Sequence, residues 1–188
     1  MALTVGILAL QGDVEAHARV LERLAATARE VRVPADLPGL DGLIIPGGES
    51  TVMSLGLERE GLAEPLREQV RGGLPLLGTC AGLIMADREH LGLMDIVARR
   101  NAFGRQISSF EVGLEFGGGR PLDAVFIRAP WIEHAGESVE VLAEVDGRVV
   151  AAREGDRLVV AFHPELSGDD RVHELFLDMV RRHAGARS

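Results

Sequence analysis

Tyrosine is absent from this chain of 188 residues, tryptophan occurs once, and cysteine occurs once, at position 80. A lone cysteine cannot form an intrachain disulfide, and it excludes a metal centre built on several thiolates. Positive charge is also scarce. Twenty lysine and arginine residues face 29 acidic ones, for a net charge of −9 and a pI near 5.2. Such a surface has no electrostatic footprint for nucleic acid or an anionic membrane. No apolar run approaches the roughly 20 residues that cross a bilayer. Residues 4–10 are apolar, but no basic segment leads them, and they run into Gln11-Gly12-Asp13 rather than a cleavage site. They read as a first strand and not as a signal peptide. These features predict a soluble cytoplasmic protein of one domain, residues 1–188, with a core of ordinary size.

The first half alternates strand and helix. The apolar runs at residues 4–10, 43–45 and 74–77 suit strands buried on both faces, and a further short strand is expected at Val31-Arg32-Val33 before Pro34. Residues 13–30 carry Val14, Val20, Leu21 and Leu24 at near-helical spacing, and two helical segments with a break near residues 56–61 follow the third strand. This rhythm predicts an α/β fold: a three-layer, open, mainly parallel sheet with helices on both faces, of flavodoxin-like type. From about Asn101 the texture changes to short strands at residues 103–116, 124–128, 139–145, 148–153 and 158–162, with turns at Gly117-Gly118-Gly119 and Asp146-Gly147. Antiparallel strands are therefore expected in the second half, closed by a helix over residues 169–183 with Val172, Leu175, Phe176, Met179 and Val180 on one face.

The most informative stretch is Gly78-Thr79-Cys80-Ala81-Gly82, which follows the apolar run Leu74-Pro75-Leu76-Leu77. It reads as a buried strand turning sharply into a helix. A nucleophile on such a turn is held up and exposed, and flanking glycines leave room for a strained backbone. The helix start directs free N–H groups and its positive dipole end at the sulfur, which favours a thiolate. A buried core cysteine would gain nothing from the two glycines.

A nucleophilic cysteine needs a base, and the base an orienting group. His163-Pro164-Glu165 follows the last apolar strand and so stands at a strand's C-terminal end, where open α/β sheets place their sites. Two residues apart in an extended segment, His163 and Glu165 point the same way. His17, His90, His134, His173 and His183 are weaker candidates, and none has a partner at metal-ligand spacing, so no metal and no cofactor is expected. The third element is Pro46-Gly47-Gly48-Glu49-Ser50, a glycine pair between a strand and a helix starting near Ser50 or Thr51. It can offer backbone N–H groups to a developing oxyanion. A phosphate loop is disfavoured, because the Walker spacing and its lysine are missing; a plain turn is the third option.

The elbow, the Pro-Gly-Gly-Glu-Ser loop and His-Pro-Glu together resemble the class I glutamine amidotransferases. Leu8-Ala9-Leu10-Gln11-Gly12, Arg100-Asn101-Ala102-Phe103-Gly104-Arg105-Gln106, Phe126-Ile127-Arg128-Ala129-Pro130 and Phe162-His163-Pro164-Glu165-Leu166 narrow the resemblance to the glutaminase subunits of pyridoxal 5′-phosphate synthase. It runs from residue 4 to 166 with no departure at a catalytic position; only residues 88–91 look like a trimmed loop. The resemblance implies a Cys80, His163 and Glu165 triad that hydrolyses L-glutamine through a thioester. It implies an oxyanion hole from the N–H groups of Gly48 and Ala81. It implies that Gly48, Glu49, Ser50, Arg100, Ile127 and Arg128 hold glutamine, with Arg105 as a further candidate for the substrate carboxylate. It also implies a partner, the synthase subunit (PdxS type) that receives the ammonia. Docking of that partner is expected to activate the glutaminase through the oxyanion loop, where Gly47-Gly48 can flip a peptide cheaply. Gln11, Gly12 and the first helix lie at the same sheet end and are candidates for the docking surface. Glutaminases serving other syntheses, a stand-alone cysteine hydrolase and a non-catalytic scaffold are the competing readings.

Overall fold

The computed structural model describes residues 2–103, 109–117 and 120–186. Its main sheet contains β1 (Thr4–Leu8), β2 (Thr27–Val31), β3 (Gly42–Ile45), β4 (Leu76–Thr79), β5 (Ile96–Arg99), β8 (Trp131–Ala135), β9 (Glu140–Val145), β10 (Arg148–Glu154) and β11 (Arg157–Val160). Strands β6 (Ser109–Leu114) and β7 (Leu122–Ile127) form a separate antiparallel hairpin. The main sheet runs in the order β2-β1-β3-β4-β11-β10-β8-β5, with β9 paired to β10. Its β2-β1-β3-β4-β11 half is parallel, which is the flavodoxin-like order, and β10, β8, β5 and β9 are joined antiparallel. The expected mainly parallel sheet with an antiparallel second half is what the chain forms.

Helices α1 (Val14–Arg23), α2 (Ser50–Arg59), α3 (Ala63–Arg71), α4 (Ala81–Ala86) and α5 (Arg171–Ala186) complete the described fold. All four residues of β3 and of β4 are buried, so both faces of the central sheet are covered. Neighbouring strand residues point to opposite faces. Gly42 faces Phe176 and Val180 of α5, whereas Ile45, of opposite parity, lies against Gly82 of α4. The two helices therefore lie on opposite sides of β3. Among the described residues no helix is long and apolar enough to cross a membrane.

Two expectations shift. The first helix ends at Arg23 instead of running to residue 30, and the second strand occupies Thr27–Val31 rather than residues 31–33. The chain leaves α1 through a Schellman closure: Ala26 N–H bonds to Leu21 O at 2.9 Å and Ala25 N–H to Glu22 O at 3.0 Å. Ala25 takes the left-handed conformation, φ 58°, that glycine usually supplies, so no glycine marks the stop. Strand β2 is an edge strand with Thr27, Arg29 and Glu30 exposed, and it lacks an apolar run for that reason. The short strands β5 and β8 were not expected. The Asp146-Gly147 turn does join β9 to β10, with positive φ at both residues (50° and 72°) as a type I′ hairpin requires. Gly118 and Gly119 of the glycine turn, and residues 104–108 of the expected strand at 103–116, lie outside the described residues.

Candidate active site

Three strands of the parallel half deliver the site from their C-terminal ends. β3 leads into Pro46-Gly47-Gly48-Glu49, β4 into Cys80, and β11 into His163. At the elbow Cys80 adopts φ 49° and ψ −105°, an L-residue in sparsely populated backbone space. The glycines around it are required by close approach. A Cβ on Gly82 would lie 2.0 Å from the Ile45 carbonyl oxygen, and one on Gly78 would lie 2.7 Å from the Gly82 oxygen. The Cys80 N–H bonds to Val160 O at 2.9 Å, tying the elbow to β11. Its thiol is directed at Ile127 O, 3.8 Å away.

His163 Nδ1 and Glu165 Oε1 are 2.7 Å apart, and both side chains are almost wholly buried. The segment is not extended as expected; Pro164–Leu166 form a turn of 3₁₀ helix, and the tight turn brings the carboxylate beneath the ring. Burial opposes charge on His163, but hydrogen bonds to Cys80 and Glu165, together with their negative charge, outweigh it and raise its pKa to about 10. Gly47 lies against the ring: a Cβ there would fall 2.5 Å from His163 Cε1 and 3.4 Å from Cys80 Cβ. The imidazole, the thiol and the glycine loop are thus in mutual contact range.

The loop itself is braced from the segment after β1. Gln11 Oε1 accepts the Glu49 N–H at 2.6 Å, and Gly48, at φ 151°, has no room for a side chain because Gln11 Oε1 would lie 2.1 Å from its Cβ. Ala81 is the first residue of α4, where backbone N–H groups have no partner within the helix.

A cleft of about 470 Å³ opens over Cys80 and His163, a size ordinary for small-molecule sites of about 300–1,000 Å³. Gly48, Glu49, Ser50, Arg100, Ile127 and Arg128 all line it, while Glu165 stands behind the imidazole and out of the cleft. Arg100 donates to Ser50 Oγ at 2.6 Å and to Thr51 Oγ1 at 3.3 Å. Among the described residues neither Arg100 nor Arg128 is paired with a carboxylate, although the chain is acidic overall. Arg105 lies outside the described residues.

Some of the cleft was not legible from spacing. Asn101 lines it, and Cys80, Asn101 and Arg128 account for three of the five described non-glycine residues with positive φ. Backbone strain is thereby concentrated around one cleft. Asp13 also reaches the site, with Oδ2 3.9 Å from His163 Nδ1. Asp13, His163 and Glu165 present ligand atoms within 4.8 Å of one another. Nδ1 of His163 is already engaged with Glu165, so a cation there would compete with that bond.

Comparison with other proteins gives the chain a family. The model of the SNO glutamine amidotransferase family matches residues 7–182. The chain belongs to this family. A relative from Streptomyces avermitilis, named pyridoxal 5′-phosphate synthase subunit PdxT, is 54% identical over 188 residues covering 94% of each chain. One of the same name from Mycobacteroides abscessus is 52% identical and covers 96% of this chain and 99% of its own. A solved glutamine amidotransferase structure shares 44% identity with a TM-score of 0.87, covering 94% of this chain and 98% of that one. A solved GMP synthase component from Thermoplasma acidophilum, at 17% identity and a TM-score of 0.72, covers 100% of this chain and 96% of its own and shares the fold alone.

Proposed function

We propose that this protein is the glutaminase subunit of a pyridoxal 5′-phosphate synthase. It hydrolyses L-glutamine to L-glutamate and ammonia and passes the ammonia to a synthase subunit of the PdxS type in vitamin B6 synthesis. The observation that carries the chemistry is the His163 Nδ1–Glu165 Oε1 bond of 2.7 Å behind a cysteine held on a positive-φ elbow. Family membership and the PdxT relatives support the substrate and the acceptor.

In this reading Cys80 attacks the side-chain amide carbon of glutamine. His163 takes the thiol proton and donates it to the departing ammonia, leaving a γ-glutamyl thioester. It then activates the water that releases glutamate. Glu165 fixes the imidazole tautomer by accepting from Nδ1, so that Nε2 faces the reaction. The N–H groups of Gly48 and Ala81 stabilise the oxyanion of each tetrahedral intermediate. One of Arg100 and Arg128, neither paired with a carboxylate among the described residues, holds the α-carboxylate of glutamine in the cleft, with Glu49, Ser50 and Ile127 around it.

Glutamate release from L-glutamine, measured for the wild type and Cys80→Ala with and without the synthase subunit, tests this reading. Release that needs both Cys80 and the partner is expected. Release that needs Cys80 but ignores the partner would point to another acceptor, and release that survives Cys80→Ala would overturn the mechanism.

A further inference from the structure

Behind Glu165, on the side away from the cleft, lies a buried cluster to which the proposed reaction assigns no role. His17 of α1 and His173 of α5 are both fully buried, 156 residues apart in sequence, with His17 Nδ1 2.9 Å from His173 Nε2. His17 Nε2 lies 3.2 Å from Thr79 Oγ1 and 3.5 Å from Glu165 Oε2. That carboxylate oxygen and His173 Nδ1 are the buried side-chain atoms without a hydrogen bond among the described residues. Thr79 immediately precedes the nucleophile.

Two tautomer arrangements fit the His17–His173 contact, and the surroundings separate them. If His17 Nδ1 carried the hydrogen, its Nε2 lone pair would face Glu165 Oε2, and His173 Nδ1 would be a buried N–H with no acceptor. If His173 Nε2 donates to His17 Nδ1, the His17 Nε2–H is directed between Thr79 Oγ1 and Glu165 Oε2. The orphaned His173 Nδ1 is then a lone pair, and the carboxylate faces a donor. The second arrangement removes one repulsion and one stranded donor.

We propose that His17, with its tautomer set by His173, is a positioning residue for Glu165. The assignment deepens the proposed glutaminase reading and rests on it. A continuous line of polar contacts then runs from α5 through α1 to the catalytic imidazole: His173 Nε2–H to His17 Nδ1, His17 Nε2–H to Glu165 Oε2, and His163 Nδ1–H to Glu165 Oε1. The carboxylate is hydrogen-bonded at Oε1 and faces the His17 Nε2–H at Oε2 across 3.5 Å, a contact that favours one orientation of the group that orients the imidazole. The second donor matters most once His163 has given up its proton and no longer offers Glu165 a positive partner.

The surroundings suit a neutral donor in this place. Burial, the neighbouring His173 and the neighbouring His163 hold the His17 pKa well below its ordinary value. The titratable groups around the line are Asp13 and Arg23 from the α1 side, Cys80 after β4, His163 and Glu165 after β11, and Asp170 before α5. Arg23 and Asp170 pair with each other at 2.6 Å, and His17 Nε2 is the nitrogen that stands 3.5 Å from Glu165 Oε2.

The test uses the complex with the synthase subunit, comparing the wild type with His17→Leu and His17→Gln. Glutamine can place a side-chain N–H where Nε2–H stands; leucine cannot. Expected are a fall in kcat of about tenfold or more for His17→Leu, as for other residues that orient a functional side chain, an unchanged KM for glutamine, and substantial recovery in His17→Gln. Equal kcat in the wild type and His17→Leu would overturn the proposal. Because His17→Leu can fail to fold, nitrogen-15 NMR of the wild type gives a second readout. The expected signal is a neutral His17 protonated at Nε2, and protonation at Nδ1 would overturn the assignment. A wild type that releases no glutamate at all would sink the glutaminase reading instead, and the tautomer would still decide the role of His17.

Discussion

Replacing alanine by glycine normally weakens a protein, and at position 80 the opposite is expected. Cys80 sits at φ 49°, ψ −105°, where an L side chain is strained and glycine is not. Strain of this kind costs about 1–3 kcal/mol. The extra chain entropy of glycine offsets about 0.5–1 kcal/mol of the relief. Cys80→Gly should therefore be more stable than Cys80→Ala by about 1 kcal/mol in mid-range and up to about 2.5 kcal/mol. In a chain of this size that corresponds to a Tm higher by roughly 2–10 °C. Both variants lose the sulfur, so the comparison cancels lost packing and isolates the backbone. Reversible thermal unfolding of the two proteins at one pH, followed by circular dichroism, measures the difference. A Cys80→Ala protein as stable as Cys80→Gly, or more so, would refute the strained elbow and a Cys80 held in place by the fold around it.

Three further outcomes follow from other parts of the chain. Arg100→Ala and Arg128→Ala should each be assayed for glutamine hydrolysis with the partner present. The arginine that grips the substrate carboxylate should raise KM by roughly 10–150-fold, the equivalent of about 1.5–3 kcal/mol for a charge-assisted bond, with a much smaller effect on kcat. Burial lowers the His173 pKa to about 4, so between that value and 6.5 the unfolded chain binds the proton that the folded chain refuses. Stability should then rise with pH across this window by about 1.4 kcal/mol per unit for this group, and His173→Leu should flatten the acid limb of a urea-unfolding series. Ala25→Gly, at the exposed left-handed end of α1, should stabilise the protein by about 0.5–1 kcal/mol, seen as a higher urea midpoint; a lower midpoint would contradict the Schellman closure.

Strands β1, β3, β4 and β11 were legible because strands buried on both faces must be apolar throughout. The elbow was legible because Gly78 and Gly82 answer to backbone contacts that admit no side chain. The cleft residues carried in motif blocks, from Gly48 to Arg128, do converge around Cys80. What stayed hidden lacked a local mark. Ala25 ends a helix without glycine, and β2 is polar because it is an edge. His17 and His173 looked like isolated helix residues, and only the packing of α1 on α5 joins them behind Glu165. Asp13 and Asn101 reach the site through loop geometry that spacing does not encode.

In the proposed reaction Cys80 forms a covalent intermediate with glutamine. Mixing the protein and its synthase partner with L-glutamine, quenching in acid and measuring intact mass tests it directly. A γ-glutamyl adduct that maps to Cys80 in the wild type and is absent from Cys80→Ala is predicted. Glutamate release without any such adduct, or an adduct that persists in Cys80→Ala, would contradict the account.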